Sequence, residues 1–507
     1  MMSEFFSARR IAGWCFALLA VVVSVLLTWR YFPIEPDVAN SPLVWRGFLS
    51  EGFSVFHDWC PTADNWYFTV YPINFLFFIL TGSDGMPALI ISTALFVSLT
   101  AIIATWMLNR VEKSYASLLA LLTLTCLPAF VLTQGFAGHP FSHYSTNFFG
   151  VLALALAFYN LQRNALWIAL LYSLLSFFAS ASDPWFLATF YLPLLLTLSY
   201  LALKKQVRKT HLLLFLITFI MSFTHAPQRW FGLPKQSFTI QPLEQWWTNA
   251  GWAWHVLGKS LNLFFFDNAL AQGLSLVLWL GVLTYGFVIA LKNGLQARFI
   301  ALCSFFSISG IIASFIISYD APASNSARFF INVIIFGVML TTLAFIIRRR
   351  WPLALCLLLF AASSVGSYNQ ITRPYLDQQK PTDEYIAFLQ SHQLSYGYSE
   401  YWLQANIVNW FTNGKIHITS VWFNPTDNKI NFDAVRGQTM ASWLQPAFIN
   451  TAPQRQFVAI AAVADNDPHS VANQRLDAIR SQLGRPDEVL VFHDRTLFVY
   501  NNRIALR

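Results

Sequence analysis

The run "PINFLFFILTG" (residues 72–82) decides how this chain is threaded. It is apolar but short, roughly half of the about 20 residues that a bilayer span requires. Longer apolar runs occur at 11–29, 87–108, 115–134, 144–160, 165–181, 184–203, 211–225, 271–291, 299–318, 329–347 and 351–367. Counting 72–82 as a further span puts "NRVEK" (109–113) outside and leaves "KKQVRK" (204–209) and "RRR" (348–350) on the wrong face. Read as an interfacial helix, it leaves about eleven spans with the N-terminus inside. "NRVEK", "QRN" (162–164), "KKQVRK", "KNGLQAR" (292–298) and "RRR" then all lie in the cytoplasm. The bias of Lys and Arg toward cytoplasmic loops favours the second reading.

Composition agrees with a membrane location. The 507 residues are 56% hydrophobic and only 11% charged, with a mean hydropathy of +0.49, whereas a soluble chain carries about 25% charged residues. The first run follows Arg9 and Arg10 as a signal peptide would. No small-residue cleavage site follows it and many spans do, so it reads as a retained anchor. Cys15, Cys126, Cys303 and Cys356 fall inside spans and Cys60 has no evident exposed partner, so no disulfide framework is expected. The net charge of +8 does not signal nucleic acid: residues 368–507 contain 12 Lys+Arg and 12 Asp+Glu, so the excess lies in the short loops of the membrane half.

The outer face then receives loop 30–86, "TQGFAGHPFSHYSTN" (133–147), "SASDPW" (180–185), loop 226–270, "SYDAPASNSARF" (318–329) and the tail. Residues 165–203 are too long for one span, and Asp183-Pro184 divides them, because proline lacks an N–H and disfavours helix in the residue before it. In the tail, "KIHITSVWF", "QFVAIAAV" and "EVLVFH…TLFVYNN" read as strands, while "TDEYIAFLQSH" and "SVANQRLDAIRSQLG" read as helices, the latter ending at Gly484. The expected architecture is therefore a polytopic α-helical membrane domain, 1–367, including outer loops 30–86 and 226–270, followed by an α/β domain, 368–507, on the outer face, which the resemblance given below makes periplasmic.

No Lys, Arg, Asp or Glu lies inside a span once Asp183 is counted at a helix end. Ion-coupled transporters place ionisable groups near the midplane, so chemistry or recognition at the outer interface is the better expectation. "IEPDVANSPLVWRGFLSEGFSVFHDWCPTADNWY" (34–67) gathers Glu35, Asp37, Glu51, His57, Asp58 and Asp64 on that face. Together with "YPINFLFFILTG" (71–82) it resembles the first outer loop of GT-C superfamily glycosyltransferases, in the branch of lipid A aminoarabinose transferases and protein O-mannosyltransferases. By position Asp37 matches that family's catalytic Asp, and Pro72 to Gly82 match its interfacial helix. Val38 departs from the usual Glu. "SARFFINVIIF" is similar to the family's late span beginning at Arg, which puts Arg328 beside a lipid phosphate.

The resemblance implies an enzyme that transfers a sugar from a polyprenyl-phosphate donor to a lipid or glycan acceptor, in the inner membrane with a periplasmic site. The chemistry needs a carboxylate to take the acceptor's proton or to place a metal, and cations to hold the leaving phosphate. The candidates are Asp37, Asp58, Asp64 and Asp183 for the first task, and Arg328, His139, His143, Arg229 and Lys235 for the donor phosphate and substrate. A divalent metal on Asp37, Asp58, His139 or His143 is one option; His139 and His143 have i,i+4 spacing, which suits a metal if helical.

Each candidate has an ordinary alternative. Loop acids are usually solvated, Asp183 can cap a helix starting at Pro184, and Arg328 can snorkel to headgroups. The tryptophans of loop 226–270 suit an interfacial belt, or a lid that stacks on sugar rings. Competing functions are a polysaccharide polymerase or ligase, a non-enzymatic transporter or flippase of lipid-linked sugars, and an inactive scaffold whose tail recruits partners.

Overall fold

The computed structural model describes residues 8–141, 143–236, 238–369, 375–461 and 471–505. They form two compact units. The first comprises Met1–Phe32, Ala63–Leu80 and Met86–Thr372; the second comprises Pro33–Thr62, Thr81–Gly85 and Arg373–Arg507. Most of the first outer loop thus packs with the tail, a partition that the position of the apolar runs does not announce.

The first unit is helical. Among the described residues, seven of its helices are long and apolar enough to cross a membrane: Ala8–Tyr31, Met86–Val111, His143–Arg163, Ala269–Leu291, Gly294–Ser318, Ile331–Arg348 with the turn before it, and Trp351–Gly366. Leu166–Ser182, Leu187–Leu203 and Lys209–Phe223 are shorter apolar helices. The run 115–134 is broken into Ser117–Thr125 and Ala129–Thr133, the break falling at Leu127-Pro128, where proline excludes the preceding residue from helix. Val70–Thr81 is a helix of 12 residues. At 1.5 Å per residue it spans about 18 Å, short of the roughly 30 Å hydrocarbon core.

Close helix approach rests on small residues, as expected between membrane helices. A Cβ added to Gly150 would lie 2.3 Å from the Phe190 ring, and one added to Gly310 would lie 2.8 Å from the Ala188 carbonyl oxygen. Ile331–Arg348 is buried almost all round, whereas little of Ala269–Leu291 is buried. Just after Asp183-Pro184 the chain makes a π-helical turn, Leu187–Tyr191. The Thr189 carbonyl accepts from Ser307 Oγ, and Asn332 Nδ2 donates to that same hydroxyl at 2.8 Å. The widened turn therefore has its backbone satisfied from neighbouring helices, and such turns are frequent at functional sites.

Loop 226–270 contains a helix that the sequence reading treats as loop, Leu243–Ser260. Its aromatic residues obscure the 3.6-residue period. Buried Asn249 fixes it in place, donating from Nδ2 to the carbonyls of Phe315, Ile316 and Tyr319 at 3.3, 3.1 and 2.7 Å. That amide satisfies the orphan carbonyls closing Gly294–Ser318, and so sets the position of Tyr319.

The second unit is built on a five-stranded mixed sheet in the order His417–Ser420, Tyr396–Ser399, Gln456–Ala461, Arg495–Tyr500, Glu488–Phe492. The first three strands are parallel, and the last two run antiparallel to their neighbours. Alternate residues face two cores, as strand geometry requires. Phe457, Ala459, Leu497 and Val499 pack with Tyr385 and Leu389, while Val458, Ile460, Phe498 and Tyr500 pack with Leu476 and Ile479. The α/β reading of the tail holds, with the strand Tyr396–Ser399 added beside the central strand Gln456–Ala461. Residues 33–62 are stitched onto it by short antiparallel pairing of Trp59 and Cys60 with Met440 and Thr439.

Candidate functional site

In the first unit, one end of the helices carries the cations Arg110, Arg163, Lys204, Arg298 and Arg348. The opposite ends are joined by the turns that hold His143, Asp183 and Arg328. There, a cavity of about 410 Å³ is lined by Asp64, His143, Trp185, Lys235, Tyr319 and Arg328, among others.

Asp183 is completely buried. It sits in the turn between Leu166–Ser182 and the π-helical turn. Its carboxylate accepts from His143 Nδ1 and Thr146 Oγ1, and from the Trp185 N–H at 3.0 Å. The sequence-based alternative of a cap is thus realised in the last of these bonds, and the same side chain also engages the imidazole. Burial pushes the Asp183 carboxyl up, but the adjacent His143 and the three donors outweigh it and hold it below the usual carboxylate range. An anion on Nδ1 orients the ring and fixes its tautomer, leaving Nε2 as the nitrogen for a ligand. His143 opens its helix, with its ring against Phe329 and Trp66 at centroid distances of 4.8 and 5.9 Å. Thr146 is a partner that sequence reasoning missed. Its signal was the i,i+3 spacing from His143 on a helix's first turn.

Arg328 lies in the tight turn Ser324–Phe330 that leads into Ile331–Arg348. Its guanidinium carbon is 4.9 Å from the Phe329 ring centre and 5.5 Å from that of Phe136. Its Nε is buried without a hydrogen-bond partner. Lys235 is exposed at the cavity wall. Arg229 is on the exposed face of the short helix Ala226–Phe231 and is not among the residues lining this cavity.

His139 is buried but precedes the helix, which starts only at His143. Its Nδ1 accepts the Phe141 N–H at 2.9 Å. The helical face on which the i,i+4 pair would act as metal ligands is therefore not formed. Among the described residues no group of three or more His, Cys, Asp or Glu side chains is arranged to hold a metal ion.

The other candidates belong to the second unit. Asp37 lies in the turn Pro36–Ala39 before the helix Asn40–Glu51. The Tyr401 hydroxyl donates to Asp37 Oδ1 at 2.6 Å and lies 3.3 Å from Asn40 Oδ1. Arg436 places its guanidinium carbon 3.5 Å from the Tyr401 ring centre and donates to Gln438 Oε1 at 2.9 Å. Burial first, and the Asp37 charge second, push the Tyr401 phenol well above its ordinary value, so it remains a donor. Neither Tyr401 nor Arg436 is marked by a local motif. Asp58 accepts from the Ser442 N–H at 2.7 Å and from Ser442 Oγ at 2.6 Å, engaging both oxygens.

No family model matches the chain, and no curated protein does. Among solved structures the chain is similar to the crystal structure of ArnT from Cupriavidus metallidurans in the apo state, at 13% sequence identity and a TM-score of 0.44, with 97% of this chain and 98% of that chain covered.

Proposed function

We propose that the chain is a bacterial inner-membrane glycosyltransferase of GT-C type, moving a sugar from a polyprenyl-phosphate donor to a lipid or glycan acceptor on the periplasmic side. The observation that carries this reading is the Arg328 guanidinium at the wall of the 410 Å³ cavity, pinned between two aromatic rings with Nε buried and unpartnered. A buried donor left unmet costs roughly 1–3 kcal/mol, and a phosphate oxygen answers it with a charge-assisted bond. Lys235 supplies a second cation at the same wall.

In this reading an acceptor hydroxyl attacks the anomeric carbon, the bond from that carbon to the phosphate oxygen breaks, and polyprenyl phosphate leaves with the electron pair. A carboxylate takes the hydroxyl proton. Asp37 is the candidate named by the resemblance, and Asp64 is the carboxylate lining the cavity. Inversion at the anomeric carbon follows from the resemblance. His143, oriented by Asp183, offers Nε2 to a sugar or acceptor hydroxyl. Asp58 is a secondary candidate, each of its oxygens accepting one bond from Ser442.

The test supplies purified chain with a panel of polyprenyl-phosphate sugars and envelope acceptors, comparing wild type with Asp37→Asn and Asp64→Asn. The expected result is a new glycosidic product from at least one donor, lost in one of the two variants. Movement of donor between leaflets with no new glycosidic bond would replace this reading by a carrier.

A further inference from the structure

A second cavity in the first unit, of about 230 Å³, is lined by Phe130, Lys259, Asn262, Phe264, Phe265, Phe266 and Asp267, with neighbouring residues. We infer that it is a lipid-headgroup site for a phosphoethanolamine-headed phospholipid. This rests on other residues than the proposed transfer reaction and stands or falls separately.

Three observations lead there. The cavity wall carries one cation and one anion side by side: Lys259 Nζ and Asp267 Oδ2 are 3.5 Å apart, both partly exposed. A pair of that length and exposure contributes little to stability, so a headgroup bearing both charges can exchange partners with it. Phosphate then meets Lys259 and the ammonium meets Asp267. A purely anionic headgroup would be repelled by Asp267, and a quaternary ammonium has no N–H to donate to it.

The wall is also preformed. Asn262 Oδ1 accepts the Phe264 N–H at 3.0 Å, and its Nδ2 donates to the Phe266 carbonyl at 2.8 Å. Trp279 Nε1 holds the Leu261 carbonyl at 2.9 Å, and Ser363 Oγ holds that of Phe264 at 2.6 Å. The Asp267 carboxylate is steadied by Gln272 Nε2 at 2.7 Å. These polar groups are spent on the loop, which leaves the charged pair to meet a ligand.

Finally, the cavity adjoins the start of Ala269–Leu291, an apolar helix with little of its surface buried. Phe265 and Phe266 are 55% and 68% exposed, and Leu270, Leu274 and Val277, at i, i+4 and i+7, are 72%, 47% and 61% exposed. That spacing makes one continuous apolar stripe down Ala269–Leu291. Acyl chains along the stripe bring their headgroup to Lys259 and Asp267, and the two phenylalanines mark the boundary.

The experiment is native mass spectrometry of the full chain, released from detergent after titration with phosphatidylethanolamine, phosphatidylcholine and phosphatidylglycerol of identical acyl chains. Wild type is expected to retain the ethanolamine lipid severalfold more than the other two. Asp267→Asn turns the preference toward phosphatidylglycerol, Lys259→Gln abolishes it, and Lys259→Arg keeps it. Soluble phosphoethanolamine, lacking chains, is expected not to displace the lipid. Equal retention of the three lipids by wild type, or an ethanolamine preference untouched in both charge variants, overturns the inference. Displacement by soluble phosphoethanolamine at equal concentration overturns the lipid assignment.

Discussion

Asp183→Asn removes the charge from a fully buried carboxylate that accepts from His143, Thr146 and the Trp185 backbone. The amide keeps the volume but brings two N–H donors into a ring of donors, so it can satisfy the three partners only in part. Hydrogen bonds to a charged acceptor contribute about 1.5–3 kcal/mol each. Weakening two of them places the loss at about 3–5 kcal/mol, the scale for breaking a buried pair by removing one partner. Against a total stability of roughly 5–15 kcal/mol this is a large fraction. The assay is denaturant titration of detergent-solubilised protein, followed by loss of monodisperse material and by tryptophan emission, with Trp185 beside the site. His143→Ala is expected to couple with it, so that Asp183→Asn costs at least ~1 kcal/mol less in the His143→Ala background. Asp183→Asn as stable as wild type, or strictly additive losses in the cycle, would refute the argument that the pair acts as a unit.

Tyr401→Phe removes the donor on Asp37 Oδ1 and is expected to destabilise the Pro36–Ala39 turn by about 1.5–3 kcal/mol, read as faster amide hydrogen exchange at those residues. His417 packs against Tyr396, Trp443 and Phe448, with Nε2 2.9 Å from Thr419 Oγ1, and burial pushes its pKa down to about 3 from 6.5. The unfolded chain therefore binds the proton first. The contribution of this ring to stability is full above pH 6.5 and is lost as pH falls toward 3. The protection factors of the His417–Ser420 amides, corrected for the intrinsic exchange rate at each pH, should fall over that interval, and less so in His417→Gln.

The positions of the helices were legible because they depend on local patterns. The shortness of 72–82, the cationic loops and the Asp183-Pro184 break each act within a few residues, and the helices begin and end accordingly. What the pattern could not show is pairing at long range. Tyr401 and Asp37 are far apart in sequence and meet through a tertiary contact that no spacing encodes. The same holds for Asp58 with Ser442 and for the inclusion of residues 33–62 in the second unit. The His139–His143 spacing misled for a physical reason. Pro140 follows His139, the turn closes on the Phe141 N–H, and the helix begins only at His143. His143 and Asp183 were each singled out as separate candidates, and their bond became visible only once the two helix ends were brought together.

The central claim, that the Arg328 cavity holds the donor's phosphate, is tested most directly by the dissociation constant of a polyprenyl-phosphate sugar for wild type and for Arg328→Gln. Loss of one or two charge-assisted bonds, each about 1.5–3 kcal/mol, predicts weakening of at least ~10-fold, steepening at low salt, with the thermal stability of the variant unchanged or raised because its buried Nε needed a ligand. Equal affinity of the two proteins, or binding that does not distinguish polyprenyl phosphate from an uncharged polyprenol, would contradict it.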